Sequence, residues 1–267
     1  MTVNTSGSQA SMRTVPLGVN GYFPSFGRQT MSFLVLAGED ALLLDAGTGV
    51  SRLIEPAIRE LLAPCAALNI LLSHYHLDHI VGLSYLPGVW WDRPVYVYGP
   101  AVPLVDAEPE DAFDQLLFPP VFPTPWRAFA GPLEVRPVRE EELRIGGLEL
   151  RLWRQDHPGG SIGVRIGDEL AYLTDTTVGD ANVERVRGVK VLLHELWFTD
   201  EEARTQGLRG HSSFSAVRDF AKAAAVGTLL LVHHHPGRTN EEVEVLCARM
   251  ERETAIPCPL PEEGLLK

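Results

Sequence analysis

The 267-residue chain is 45% hydrophobic and 22% charged, a soluble, globular balance with enough length for one large domain or two small ones. A formal net charge of −12 disfavours general nucleic-acid binding, because the basic residues nearest to a patch (Arg136, Arg139, Arg144, Arg151 and Arg154) are scattered. Three cysteines, Cys65, Cys247 and Cys258, with no C-x-x-C pair, argue against a disulfide framework and a thiolate zinc site.

Residues 1–12 are polar and read as a disordered leader, with residues 13–267 as a single domain. No signal-peptide pattern and no apolar run of membrane-spanning length is present, so a cytoplasmic protein without a membrane partner is expected. Ser32–Ala37 and Ala41–Asp45 read as strands joined by a hairpin-length turn at Gly38-Glu39-Asp40. Leu53, Ile54, Ala57, Ile58, Leu61 and Leu62 recur at helical spacing and predict an amphipathic helix over Ser51–Leu62. Asn69–Ser73 is a short buried strand that leads straight into His74-Tyr75-His76-Leu77-Asp78-His79.

Residues 87–137 differ in texture, being rich in proline and in aromatics (Trp90, Trp91, Phe113, Phe118, Phe122, Trp126) around one clear strand, Val95–Tyr98. They read as a long excursion covering one side of the site, whose aromatics either line a pocket or pack the excursion onto the body. Strands resume at Leu148–Trp153, Ile162–Ile166, Leu170–Thr174, Val189–His194 and Thr228–His233. One helix is predicted over Ser213–Ala225. Another starts near Thr239, where Thr239 and Glu242 make a capping box ahead of the stripe Val243, Leu246, Cys247 and Met250.

The nine histidines fall almost entirely at strand ends, where an α/β chain exposes residues to a common crevice. In an extended segment His74 and His76 point the same way and can face one ion, while Asp78 and His79 follow as the chain turns and can reach a second. Neutral imidazole and carboxylate are ligands suited to zinc and accepted by manganese or iron. A lone histidine is more often structural; four candidate ligands in six residues reverse that presumption.

His-Tyr-His-Leu-Asp-His resembles the HxHxDH motif of the metallo-β-lactamase superfamily, and further motifs follow in order. Leu42–Gly47 resembles the strand whose aspartate, Asp45, braces the metal loop. Asp156-His157-Pro158-Gly159, Leu173-Thr174-Asp175-Thr176 and Leu231-Val232-His233 resemble the later motifs. The resemblance spans about residues 15–238. It implies an α/β fold, a four-layer αββα sandwich, and two divalent metal ions, zinc first with Mn2+ or Fe2+ as alternatives. His74, His76 and His157 would hold one metal and Asp78, His79 and His233 the other, with Asp175 between them. His234 and His235 have no ligand role in this transfer and are expected to orient ligands or lie at the surface.

Fold alone does not choose an activity. His194-Glu195, Gly210-His211-Ser212-Ser213 and Leu231-Val232-His233 resemble the closing motifs of RNase Z-type phosphodiesterases, and Tyr98-Gly99-Pro100 and Gly163-Val164-Arg165-Ile166 look similar to the same group. The chemistry fits: a metal-bridged hydroxide would attack phosphorus in line and His211, held by Glu195, would protonate the leaving oxygen, while the resemblance implies that Asp78 accepts a proton from the attacking water. A capping or packing role before the helix at Ser213 is the other reading of His211.

Two departures stand out. Only Gly167-Asp168-Glu169 separates two strands where the resembled enzymes insert a tRNA-clamping arm, and Leu196-Trp197-Phe198 replaces their small residues, so that Trp197 narrows the pocket. With the −12 charge, these argue against tRNA and for a small phosphodiester or related ester. A carboxylic ester, thioester or lactone hydrolase on the same centre is the alternative, and a metal-binding sensor without turnover a second. Dimers are usual in the resembled family, so a homodimer is a further expectation.

Overall fold

The computed structural model describes residues 12–89, 93–129 and 133–264. Among these, twelve strands form two six-stranded sheets. The first holds β1 (Arg13–Gly18), β2 (Ser32–Ala37), β3 (Asp40–Leu44), β4 (Leu68–Leu71), β5 (Val95–Pro100) and β6 (Leu133–Val138), side by side in that order. The second holds β7 (Glu142–Ile145), β8 (Leu148–Gln155), β9 (Ser161–Ile166), β10 (Leu170–Leu173), β11 (Val191–Glu195) and β12 (Thr228–Val232), in the reverse order. Each sheet is antiparallel at one side and parallel at the other: β3 to β6 run parallel in the first, β10 to β12 in the second.

Alternation along the strands builds the layers, because successive side chains of a strand point to opposite faces. Phe33, Val35, Leu42, Leu44 and Leu71 face inward and meet Leu150, Leu152, Val164, Tyr172, Leu193 and Val232 of the second sheet. Leu34, Leu36, Leu43, Leu68 and Ile70 face outward and pack with Val50, Leu53, Ile58 and Leu62. On the far side Ala171, Leu173, Leu192, Leu229 and Leu231 pack against the helices Phe214–Ala224 and Asn240–Thr254, whose buried stripes are Val217, Phe220, Ala221, Ala224 and Val243, Leu246, Cys247, Met250. The result is the expected αββα arrangement, with one apolar layer between the sheets and one under each helical face. All three cysteines are free and buried. Among the described residues no helix is long and apolar enough to cross a membrane.

Three sequence expectations change. The helix expected over Ser51–Leu62 is a 3-10 segment, Thr48–Ile54, followed by a separate helix, Pro56–Leu62. The break is at Glu55, held extended at ψ 133°, as the clash of a following proline ring with the α conformation requires. Residues 87–137 are not only an excursion: they supply β5 and most of β6, and Phe113 and Trp126 lie in the core against the first sheet. Trp90 and Trp91, read as part of the same excursion, lie outside the described residues, as do residues 1–11 of the expected leader, whereas Met12 packs partly buried against the inter-sheet core. The strands absent from the sequence reading (β1, β6 and β7) are all sheet edges. Two of them carry prolines, Pro16 and Pro137, and β6 and β7 expose charged residues, features that blunt an edge and erase the apolar alternation.

Candidate metal centre

Strands of both sheets deliver the candidate residues to one cluster. Asp45 follows β3, His74 to His79 follow β4, Asp175 follows β10, Glu195 ends β11 and His233 follows β12, while His157 follows β8. Carboxyl ends of strands are where an α/β sheet offers a binding crevice. Asp45, Asp175 and His233 each leave their strand in the left-handed region (φ +61°, +48° and +49°), a costly backbone for a non-glycine residue that swings the chain sharply at the strand end.

All seven predicted ligands meet there, in two principal groups, and His211 joins Asp175 and His233 in a third. His74, His76, His157 and Asp175 form one; Asp78, His79 and His233 form the other. Asp175 links them: its Oδ1 lies 3.6 Å from His157 Nε2 and 3.9 Å from His74 Nε2, and its Oδ2 lies 3.1 Å from His79 Nε2 and 3.2 Å from His233 Nε2. Within the groups, His157 Nε2 is 3.1 Å from His76 Nδ1, and Asp78 Oδ2 is 3.3 Å from His233 Nε2 and 3.4 Å from His79 Nε2.

These residues fit metal ions. Bonds of about 2.0–2.1 Å in a tetrahedron place neighbouring ligand atoms about 3.3 Å apart, and most of the spacings fall near that value. His74 Nε2 is buried without a hydrogen-bond partner, which is costly unless something coordinates it. Burial, and then the neighbouring His79, pushes the His74 imidazole well below its usual range. Burial likewise lowers His76 and His157, so all three are neutral and ready to donate a lone pair. Burial also disfavours charge on His233 and His79, yet the carboxylates outweigh it; Asp175 above all raises His79, and lifts His233 to about 10. Against burial, Asp78 and Asp175 are held well below the carboxylate range by the surrounding imidazoles, His79 foremost at Asp78 and His233 at Asp175. The carboxylates thus favour positive charge at this point, which is what a divalent cation supplies.

Behind the ligands stand groups that fix their orientation. Asp45, fully buried, accepts from Ser73 N (2.6 Å), Ser73 Oγ (2.8 Å) and Tyr172 OH (2.6 Å), and lies 2.8 Å from His79 Nδ1. His157 Nδ1 is 2.9 Å from the Gly210 carbonyl, and Thr174 Oγ1 donates to Asp175 Oδ2 at 2.6 Å. Tyr22 N–H donates to Asp78 Oδ2 at 2.7 Å. The Tyr22 contact comes from the backbone, so the sequence carries no side-chain signal for it. Tyr172 was legible only as an apolar strand residue.

Glu195 and His211 do pair: His211 Nδ1 lies 2.9 Å from Glu195 Oε2. The His211 ring is 5.2 Å from that of His157 and 5.6 Å from that of His233. Against burial, the bond to His211 holds the Glu195 carboxyl low, with His233 adding to it. The Trp197 ring stacks on His211 (4.7 Å, 15°) and touches His233 and His235, so it walls this side of the site. His234 is fully buried, and burial, with Arg28 second, lowers it to about 3; His235 packs edge-on against Trp197. Neither joins either group of candidate ligands.

Comparison with known proteins identifies the family and the fold. Residues 26–178 match the model of the metallo-beta-lactamase superfamily. The chain is 27% identical to ribonuclease Z of Methanopyrus kandleri, over 81% of this chain and 85% of that one. Its fold is similar to the crystal structure of the metallo-beta-lactamase fold protein YhfI of Bacillus subtilis (TM-score 0.74, 21% identity, 95% and 98% of the two chains). It is also similar to a diphosphatase of the PhnP family (TM-score 0.66, 18% identity, 96% and 97%). Between β9 and β10, Leu170 pairs with Ile166 across a three-residue turn, with no arm inserted. The family model covers more than half of the sequence, and the motifs it spans close on a histidine–aspartate cluster suited to divalent metals: the chain belongs to the metallo-beta-lactamase superfamily and is a metal-dependent hydrolase.

Proposed function

We propose that the protein is a dinuclear phosphodiesterase acting on a small phosphodiester. The observation that carries this reading is the division of Asp175, one oxygen toward each group of candidate ligands, with the His211–Glu195 pair alongside. His74, His76 and His157 would hold one ion, Asp78, His79 and His233 the other, and Asp175 would touch both. Two divalent cations, zinc foremost, would offset the charge of the phosphate oxygens and make water a nucleophile at neutral pH.

The chain's own groups supply the rest. His211, with Nδ1 held by Glu195, has Nε2 left to donate a proton to the departing oxygen. Glu195 is fully buried, and its contact with Nδ1 fixes the plane of the His211 ring. Asp78 is assigned a second role, taking a proton from the attacking water. Trp197 stacked on His211 limits the approach to that side.

A carboxylic ester, thioester or lactone hydrolase on the same centre would be favoured if Glu195 and His211 pointed away from it; the His211 ring instead lies against those of His157 and His233. The short β9–β10 turn and the net charge of −12 support a small substrate over tRNA. The test is metal-dependent hydrolysis of bis-p-nitrophenyl phosphate. Metal-loaded protein that leaves this ester and a panel of cyclic nucleotides intact overturns the reading.

A further inference from the structure

The loop after β1 is built tightly against the metal centre. Asn20 Oδ1 accepts from Arg28 Nε at 2.6 Å, Ser25 Oγ donates to the Pro236 carbonyl at 2.6 Å, and Phe23 N–H closes a tight turn onto the Gly21 carbonyl at 2.8 Å. At Gly21 a Cβ would stand 2.5 Å from the His233 ring and 2.6 Å from Trp197, so no side chain fits there. Tyr22 is the next position, and its amide touches Asp78 Oδ2 at 2.7 Å. With an N–Cα bond of about 1.46 Å, the Tyr22 Cα stands within about 4.2 Å of that carboxylate oxygen.

What stands at this position is unusual in two ways. Tyr22 has φ +64°, a left-handed conformation suited to glycine or asparagine and strained for a bulky ring. The residue is also 72% exposed, and the adjacent Phe23 is 49% exposed, the two rings lying 5.3 Å apart. Leu77, between the candidate ligand residues His76 and Asp78, is 62% exposed. Strain together with apolar exposure beside reacting groups has no folding benefit, since neither ring adds to the core.

We propose that Tyr22 and Phe23, beside Asp78, form an aromatic rim that selects phosphoesters bearing a flat aromatic ring. The rim offers a π-face to a substituent of a phosphate seated at the metal centre, the contact by which aromatic side chains hold flat rings. The proposal rests on the hydrolase reading of the site and adds the class of substituent.

The test separates ring recognition from phosphate recognition by calorimetry on metal-loaded protein, with phenyl phosphate and methyl phosphate as probes. Both carry the same headgroup. We expect wild type to bind phenyl phosphate about tenfold more tightly, the size of one stacking contact. Tyr22→Asn keeps the amide donor and suits the left-handed backbone, so it tests the ring without loading the fold; Phe23→Ala tests its neighbour. Each variant should shrink the phenyl-over-methyl preference severalfold, with the methyl phosphate affinity and the metal content maintained. The proposal is overturned if wild type shows no preference or binds neither probe, if both variants retain the preference, or if both affinities fall in parallel, as a merely structural role predicts. Hydrolysis of bis-p-nitrophenyl phosphate and of the cyclic nucleotides is scored separately: ring-selective binding without cleavage of any of them keeps the rim and removes the phosphodiesterase reading.

Discussion

His211 Nδ1 and Glu195 Oε2 are 2.9 Å apart, and the carboxylate of that pair is completely buried. Glu195 spends its other contacts inward: Oε1 accepts from Thr176 N at 2.6 Å, and Oε2 lies 3.5 Å from His233 Nδ1. His211 is therefore anchored at one nitrogen while its ring lies beside those of His157 and His233. If it is the proton donor, His211→Ala should lower turnover by about 10²–10⁴-fold, the usual worth of a placed acid, while metal stoichiometry stays at the wild-type value. Elemental analysis of the variant decides the matter. Loss of metal would place His211 among the ligands, a role its distance from Asp175 and His233 also allows.

Asp45 gathers four contacts without being a candidate ligand, one of them to His79 Nδ1. Asp45→Ala would strip partners from Ser73, Tyr172 and His79 at once, all in the dry interior, at a cost of about 1–3 kcal/mol for each donor left unpaired. The His79 ring would also lose the brace that sets its tautomer and direction, which typically weakens metal binding by about 10–100-fold. Metal titration and urea unfolding should both report the change. A variant with wild-type metal affinity would show that Asp45 serves only the fold.

Much of this centre was legible in the sequence because its signals are local. His74 to His79 sit within six residues at a strand end, and Asp175, Glu195 and His233 each close an apolar run that marks its own strand. The alternation that separates Phe33 and Val35 from Leu34 and Leu36 likewise marks a sheet buried on both faces. What stayed hidden depends on contacts distant in sequence or on the main chain. The Tyr22 amide reaches Asp78 across 56 residues, and nothing in the letter Y announces a left-handed backbone. β1, β6 and β7 need a neighbouring strand to define them, since an edge strand with proline or alternating charge has little apolar pattern of its own. The split at Glu55 was accessible, because Pro56 follows it, but helical spacing across the junction masks the break.

Gly21 supports a steric prediction independent of chemistry. Its missing side chain lets the loop lie on His233 and Trp197, two rings that both stack on His211, with His235 edge-on to Trp197, and cannot retreat freely. Gly21→Ala should displace the His233 ring or lift the loop and break the Tyr22–Asp78 contact. Either way the group Asp78, His79 and His233 is disturbed, while His74, His76 and His157 are not directly touched. If wild type binds two ions as proposed, the variant should retain about half of the wild-type metal content, as read by elemental analysis across a titration. Equal occupancy of both groups in variant and wild type would show that the loop yields without consequence.

His194 provides a pH test away from the metal centre. It is fully buried, its ring 5.2 Å from that of Phe220, with Nδ1 2.9 Å from the Glu195 carbonyl and Nε2 without a partner. Burial lowers its pKa, outweighing the opposing pull of Glu195. In the unfolded chain the ring titrates near 6.5. As pH falls through that value the unfolded state takes up the proton first, so folding stability falls with pH until the depressed folded-state pKa is reached; above 6.5 both states are neutral and the effect vanishes. The slope from one such group approaches about 1.4 kcal/mol per pH unit. His194→Leu removes the titration while keeping an apolar side chain against Phe220. Urea midpoints for the two proteins, measured between pH 8 and 5 at one metal concentration, should run parallel above pH 7 and diverge below it, with wild type losing stability faster. Because the other histidines are common to both proteins, their titrations cancel in the difference, and curves that stay parallel down to pH 5 would show that His194 enters the folded state without a depressed pKa.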